Sequence, residues 1–213
     1  MKKTIILSVL ISATIFGLRP NRGLQQTCFA YAGEASPMET KEAQNMQYVT
    51  YAGKDPMPKV GFQYPSGWKL KEEQGRTETY SQVRILGKRN PDDTYTCYIA
   101  VIKSPLKNAG GRYESVDEFY EQYKARFLEG TKIVSDSNSE VAQTDSRDMV
   151  ISYVMPPPFQ HGLKPIEIPI RTRTLVFIKG QDFYQIIFSA DEREYASLEN
   201  VFSKLLETFK FID

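Results

Sequence analysis

Serine is followed three residues later by glutamate at two places where a helical apolar period begins: Ser115 with Glu118, and Ser189 with Glu192. In such a capping box the serine oxygen accepts an orphan N–H of the first helical turn, and the acid reaches back to the cap. After the first box Val116, Phe119, Tyr120, Tyr123 and Phe127 form one apolar stripe, and Gly130 marks its end. After the second, Tyr195, Leu198, Phe202, Leu205 and Phe209 recur at steps of three and four. Elsewhere from residue 58 onward the apolar period is two, and the connections are short. Parallel neighbours need long crossovers, so short connections mean antiparallel pairing. The pattern predicts an α+β domain, an antiparallel meander sheet flanked by helices on its faces.

Strands are predicted over 60–64, 68–72, 78–87, 94–103, 131–135, 139–144, 147–155, 166–179 and 182–189. Between the first two stands Tyr64-Pro65-Ser66-Gly67, whose proline at the second position and glycine at the fourth suit a tight turn. The chain's one tryptophan, Trp68, follows at once and shares a strand face with Leu70. The turn thus reads as a hairpin that points the indole inward. Residues 94–103 place Tyr95, Cys97, Ile99 and Val101 on one face and Tyr98, Ala100 and Ile102 on the other. Gly180-Gln181 reads as a two-residue hairpin loop. Residues 156–165 hold four prolines, which cannot donate to a ladder, and are predicted to form a long loop.

The start of the chain has a different character. Met1-Lys2-Lys3 precedes an apolar run over 4–18, too short to span a bilayer as a helix. Ala30-Tyr31-Ala32 supplies a small-x-small cleavage pattern, so residues 1–32 read as a secretory signal peptide. An uncleaved anchor is the alternative, because Arg19 and Arg22 follow the apolar core. Residues 33–57 are polar, show no apolar period and read as a flexible spacer. The domain is expected over 58–213. Removing Lys2, Lys3, Arg19 and Arg22 takes four of 27 basic side chains away against 26 acids, and the formal charge of +1 turns slightly negative. No basic stripe of the kind phosphate backbones require is present, which argues against nucleic acid.

Phe62, Tyr64, Pro65, Gly67 and Trp68, together with Ser189-Ala190, Tyr195, Phe202, Leu205 and Phe209, resemble the PsbP-like superfamily. That family includes the extrinsic PsbP proteins of photosystem II, the yeast Ran-binding Mog protein and bacterial exported proteins. The resemblance spans roughly 58–213, and its motifs are structural. It implies a PsbP-like fold with Trp68 as an anchor between the first hairpin and the last helix. It also implies an accessory role outside the cytoplasm, and it assigns no reaction.

A search for chemistry finds little. His161 is the one histidine, and three or four ligands are needed for a zinc site, so no metal is expected. Ser66 lacks the G-x-S-x-G setting of a nucleophile elbow. Phosphate-loop and dinucleotide glycine motifs are absent, so no cofactor is expected. Arg171 and Arg173, two residues apart on one strand face, are candidates for holding a carboxylate or phosphate. Phe159 and His161 on the Pro-rich loop are candidates for contacting a partner. The expectation is an exported, periplasmic or otherwise extracytoplasmic protein that is not an enzyme. It would bind another protein or an envelope component, and would meet the membrane only through an uncleaved N-terminal segment. The alternative is a small-ligand or lipid carrier with a pocket between sheet and helix.

Overall fold

The alternating segments become strands, and their hydrogen-bonding edges decide the topology. The computed structural model describes residues 46–75, 80–155 and 167–212. Strands β3 (Lys69–Gln74), β4 (Ser81–Arg89) and β5 (Thr96–Pro105) form one antiparallel meander. Strands β6 (Lys132–Val141), β7 (Thr144–Met155), β8 (Ile168–Lys179) and β9 (Asp182–Asp191) form a second. The two join where β5 pairs β9, giving a seven-stranded antiparallel sheet in the order β3-β4-β5-β9-β8-β7-β6. Helix α1 (Val116–Lys124) lies on one face and helix α2 (Glu192–Thr208) on the other. The expected α+β class holds.

Several expectations need correction. The predicted hairpin around Pro65 is instead a corner between two sheets. Strand β2 (Val60–Pro65) pairs with β1 (Tyr48–Ala52) on one side and β10 (Lys210–Phe211) on the other. Both its edges are thus filled, and β3 must find its partner in the large sheet. A tight turn exists but lies one residue later than expected, over 65–68: the Trp68 N–H donates to the Pro65 carbonyl at 3.0 Å, so proline takes the first position and glycine the third. Strand β1 lies within the supposed spacer, so the folded body begins before residue 58. Tyr51 is its one buried residue, stacked 4.9 Å from Phe62, and one inward side chain makes no visible period. The segments 131–135 and 139–144 belong largely to the single strand β6. All but Ser139 and Val141 are exposed along it, so it shows no apolar alternation to read.

The β6–β7 hairpin turns on Ala142 and Gln143, both with positive φ, at 47° and 58°. Two positive φ values in a two-residue loop are the geometry that Asn-Gly serves best, because other L-residues are strained there. Installing Ala142→Asn with Gln143→Gly should raise stability by about 1 kcal/mol, read as a higher denaturant midpoint at unchanged slope.

Helix α1 starts as predicted, with Ser115 Oγ accepting from the Glu118 N–H at 3.1 Å. It ends at Lys124, well short of Gly130. Phe127 returns through a tight turn to meet Tyr123 at 5.3 Å. The second capping box does not cap. Ser189 is buried in β9, and Asp191 is the cap of α2. Its fully buried carboxylate accepts from the Arg193 N–H (3.0 Å), Arg193 Nε (2.9 Å) and Nη2 (2.6 Å), and Asn90 Nδ2 (2.8 Å). Asn90 Oδ1 in turn accepts the N–H groups of Thr94 and Tyr95. One acid therefore ties the β4–β5 turn to the start of α2. The Arg193 guanidinium holds its pKa down at about 2.

The α2 stripe packs as the period demands. Tyr195, Leu198, Val201, Phe202 and Leu205 are buried, and Phe202 stacks on Phe188 at 5.2 Å. The helix also serves the small sheet: Thr208 Oγ1 accepts from the Gln63 N–H, and Phe209 lies parallel to Phe62. Under α1, Phe119 and Tyr120 meet Met149, Ile151, Val176 and Phe183 of β7, β8 and β9. Trp68 is 7% exposed. Its indole lies over Gly87 of β4 beside Cys97 of β5, against the large sheet. Burial pushes the Cys97 thiol up to about 11, so it stays a protonated packing group at neutral pH.

Candidate binding face of the large sheet

Strand alternation puts Arg171 and Arg173 on the α2 side of β8, as their spacing requires. There they meet acids of the same chain. Arg173 donates to Asp148 on β7 from Nε (3.1 and 3.0 Å) and Nη2 (2.7 Å), and Nη1 lies 3.5 Å from Glu199. Arg171 grips Glu192 through Nε at 3.1 Å and through Nη2. Each guanidinium also lies over an α2 ring, Arg171 on Tyr195 and Arg173 on Phe202. The pair is thus charge-matched within the fold, and an incoming anion would have to displace carboxylates. Glu192 and Glu199 stand seven residues apart along the side of α2, a spacing visible in the sequence. The register that brings Asp148 opposite is not. Phe159 and His161 lie outside the described residues.

The opposite face of the sheet differs. Tyr98 on β5 stands opposite Ser189 on β9, which stands opposite Thr172 on β8. The Tyr95 hydroxyl lies 2.7 Å from Ser189 Oγ, and Ser189 Oγ lies 2.8 Å from Thr172 Oγ1. Tyr98 and Tyr153 lie on the same face beside these hydroxyls. Tyr95 precedes β5 and reaches this side, not the side of Cys97 where alternation had placed it. Burial is the chief cause raising the pKa of Tyr95, Tyr98 and Tyr153. At neutral pH these phenols are protonated. Among the described residues no carboxylate or imidazole hydrogen-bonds Ser189.

Next to this hydroxyl cluster the same face turns basic. Lys71 on β3 stands directly opposite Arg84 on β4, and Lys69 stands opposite Leu86. Arg84 lies over the Tyr98 ring, with Cζ 5.4 Å from its centroid. Its Nε is buried without a hydrogen-bond partner. Among the described residues no carboxylate forms an ion pair with Lys69, Lys71 or Arg84. Glu73 shares the face but is held by the Gln82 side-chain amide. Arg89, Arg147, Arg171, Arg173 and Arg193, by contrast, each hold an acid of the chain. Leu86, Ala100 and Ile102 supply the apolar floor between the cations and α1.

Two depressions of the described surface open to solvent. One, of about 300 Å³, is bordered by Met46, Pro65, Trp68 and Lys88. The other, of about 460 Å³, is bordered by Val116, Asp117, Asn138 and Arg147. Among the described residues no cluster of three or more His, Cys, Asp or Glu side chains could hold a metal ion. No described helix is long and apolar enough to cross a membrane.

No known family's sequence profile matches the chain, and no curated protein matches it. Solved structures do. The crystal structure of LpqN, involved in cell envelope biogenesis of Mycobacterium tuberculosis, shares 15% identity at a TM-score of 0.47, over 84% of this chain and 98% of that one. The solution structure of cyanobacterial PsbP (CyanoP) from Synechocystis sp. PCC 6803 shares 12% identity at a TM-score of 0.48, over 85% of this chain and 99% of that one. A namesake of the family that residues 62–68 and 189–209 resemble is therefore among the structures to which this chain is similar.

Proposed function

We propose that this chain is an exported, non-catalytic binding module that docks on a protein of the cell envelope through the tyrosine-and-cation face of its large sheet. The observation that carries the reading is the set of cations at Lys69, Lys71 and Arg84 that have no ion-pair partner among the described residues, beside a tyrosine whose pKa burial raises. Export rests on the charged start, the apolar run over 4–18 and the Ala30-Tyr31-Ala32 pattern. Residues 156–165, with Phe159 and His161, follow Met155 in the sequence and are part of the proposed contact. Arg171 and Arg173 contribute less, because their charges are already matched.

Cross-linking in the source cell tests the reading. A benzophenone amino acid in place of Leu86 should trap one discrete envelope protein, whereas the same group in place of Lys204, on α2, should not. Equal trapping from both positions, or none from Leu86, would count against it. Native mass spectrometry of the protein from its own host should give the bare chain mass. A retained small molecule would favour the carrier reading instead.

A further inference from the structure

We propose that the occupant of this face is a carboxylate-rich extended segment of the partner protein, seated on Arg84, Lys71 and Lys69. The proposal rests on the binding-module reading above and names the chemistry that the module recognises.

Like charges directly opposite on neighbouring strands destabilise a sheet. The chain nevertheless sets Lys71 against Arg84 and provides neither with an acid. Three other guanidiniums of the sheet and its helices are treated differently, although Arg112, over the Tyr113 ring, and Arg126 also hold no acid among the described residues. Arg173 has Asp148 and Glu199, Arg147 has Asp136 and Asp117, and Arg193 has Asp191 and Asp92. A carboxylate arriving between Lys71 and Arg84 turns the repulsion into two attractions.

The guanidinium is also prepared for that acid. The guanidinium lies over the Tyr98 ring, and the planar fork of arginine matches a carboxylate in two parallel hydrogen bonds. Its Nε is buried and has no hydrogen-bond partner among the described residues, so a side-chain shift that presents the fork to an acceptor gives up no hydrogen bond. Glu73, held by Gln82, is the next residue on this face on one side of Lys71 and Arg84, and would repel an acid on that side. The occupant's carboxylates therefore fall toward Lys69, Leu86 and Tyr98.

A peptide fits better than a lipid surface. The cations fill a small patch of two adjacent strands, while acids outnumber bases in the chain beyond residue 32. A broad anionic bilayer would face that surplus too, whereas a narrow acidic segment would not. Leu86, Ala100 and Ile102 beside the cations give the aliphatic part of a peptide a place to lie.

The test uses the purified protein and a fluorescein-labelled poly-glutamate peptide, followed by anisotropy at low salt. Poly-lysine is the control probe, and flotation with phosphatidylglycerol vesicles is a second arm. Saturable binding of poly-glutamate that weakens with added salt is expected, with none of poly-lysine. Arg84→Gln and Lys71→Gln should each weaken it by about tenfold or more, and Lys204→Gln should leave it unchanged. Arg84→Lys, which keeps the charge but loses the fork, should fall between wild type and Arg84→Gln. Melting curves identify any variant that fails to fold, and Arg84→Lys then carries the comparison. Absence of binding, affinity indifferent to Arg84→Gln, or vesicle binding without peptide binding would each overturn the proposal. If the Leu86 cross-link persists in Arg84→Gln protein, the acidic-segment proposal fails while the binding-module reading survives. If poly-glutamate binds as described but no cross-link forms at Leu86, the module reading fails by itself.

Discussion

Asp191→Ala should cost about 3 kcal/mol of stability, measured by chemical denaturation at neutral pH. The carboxylate is completely buried and carries four hydrogen bonds. Removing a helix cap costs about 1 kcal/mol, and leaving a buried donor short of its acceptor costs about 1–3 kcal/mol more. Asn90 is that donor, since its amide keeps only Thr94 Oγ1 at 3.0 Å. Arg193 is not stranded in the same way, because Asp92 still receives Nη2 at 2.6 Å and the side chain is half exposed. Asp191→Asn keeps an oxygen at the cap and should lose about half as much.

The same acid gives the fold a defined acid limit. Its pKa falls from an ordinary 3.8 to about 2, because of the Arg193 guanidinium and then Asn90. A carboxylate whose pKa is lower in the folded state stabilises fully above its unfolded pKa. That contribution disappears as pH falls toward the folded value. About 2 kcal/mol should therefore be lost between about pH 4 and pH 2 in the wild type. Asp191→Asn should lack this segment of the pH curve. An identical decline in both proteins would show that other groups set the acid limit.

Gly87→Ala should be the second large effect, about 3 kcal/mol, with Trp68 displaced. A methyl group at Gly87 would sit 2.4 Å from Cys97 Sγ and 2.8 Å from two indole carbons. The indole is rigid and nearly enclosed, so it cannot yield by a small torsion. The ring should swing toward the depression bordered by Pro65 and Lys88. Iodide should quench the wild-type tryptophan weakly and the variant's strongly. Adding Cys97→Ala removes the sulfur contact but not the indole contact, so it should restore only part of the loss. Wild-type quenching as strong as that of free tryptophan would contradict the packing described for Trp68.

Elements whose apolar side chains repeat were legible in the sequence, and those that bury one residue or none were not. The α2 stripe from Tyr195 to Phe209 and the β8–β9 hairpin at Gly180-Gln181 both follow from periodicity and turn chemistry. Strand β1 escaped because Tyr51 alone turns inward, and β6 was split because exposure along it erases alternation. The Ser189–Glu192 pattern misled because cross-strand pairing and a buried hydroxyl network claimed the serine first. Arg171 and Arg173 were correctly placed on one face. Their acids, however, come from a neighbouring strand and a helix whose registers no local pattern encodes. The opposition of Lys71 and Arg84 was hidden for the same reason: each is an ordinary cation until β3 and β4 are aligned.

The joining of β5 to β9 sets a timetable for the chain. Ile99 must wait for Phe188 before the middle of the sheet can close, and closing so long a loop slows folding. During synthesis the first meander therefore has an open inner border until nearly the whole polypeptide has emerged. A chain shortened before residue 182 should never acquire a finished hydrophobic centre, and a nascent one stays slack enough to be threaded through a narrow pore.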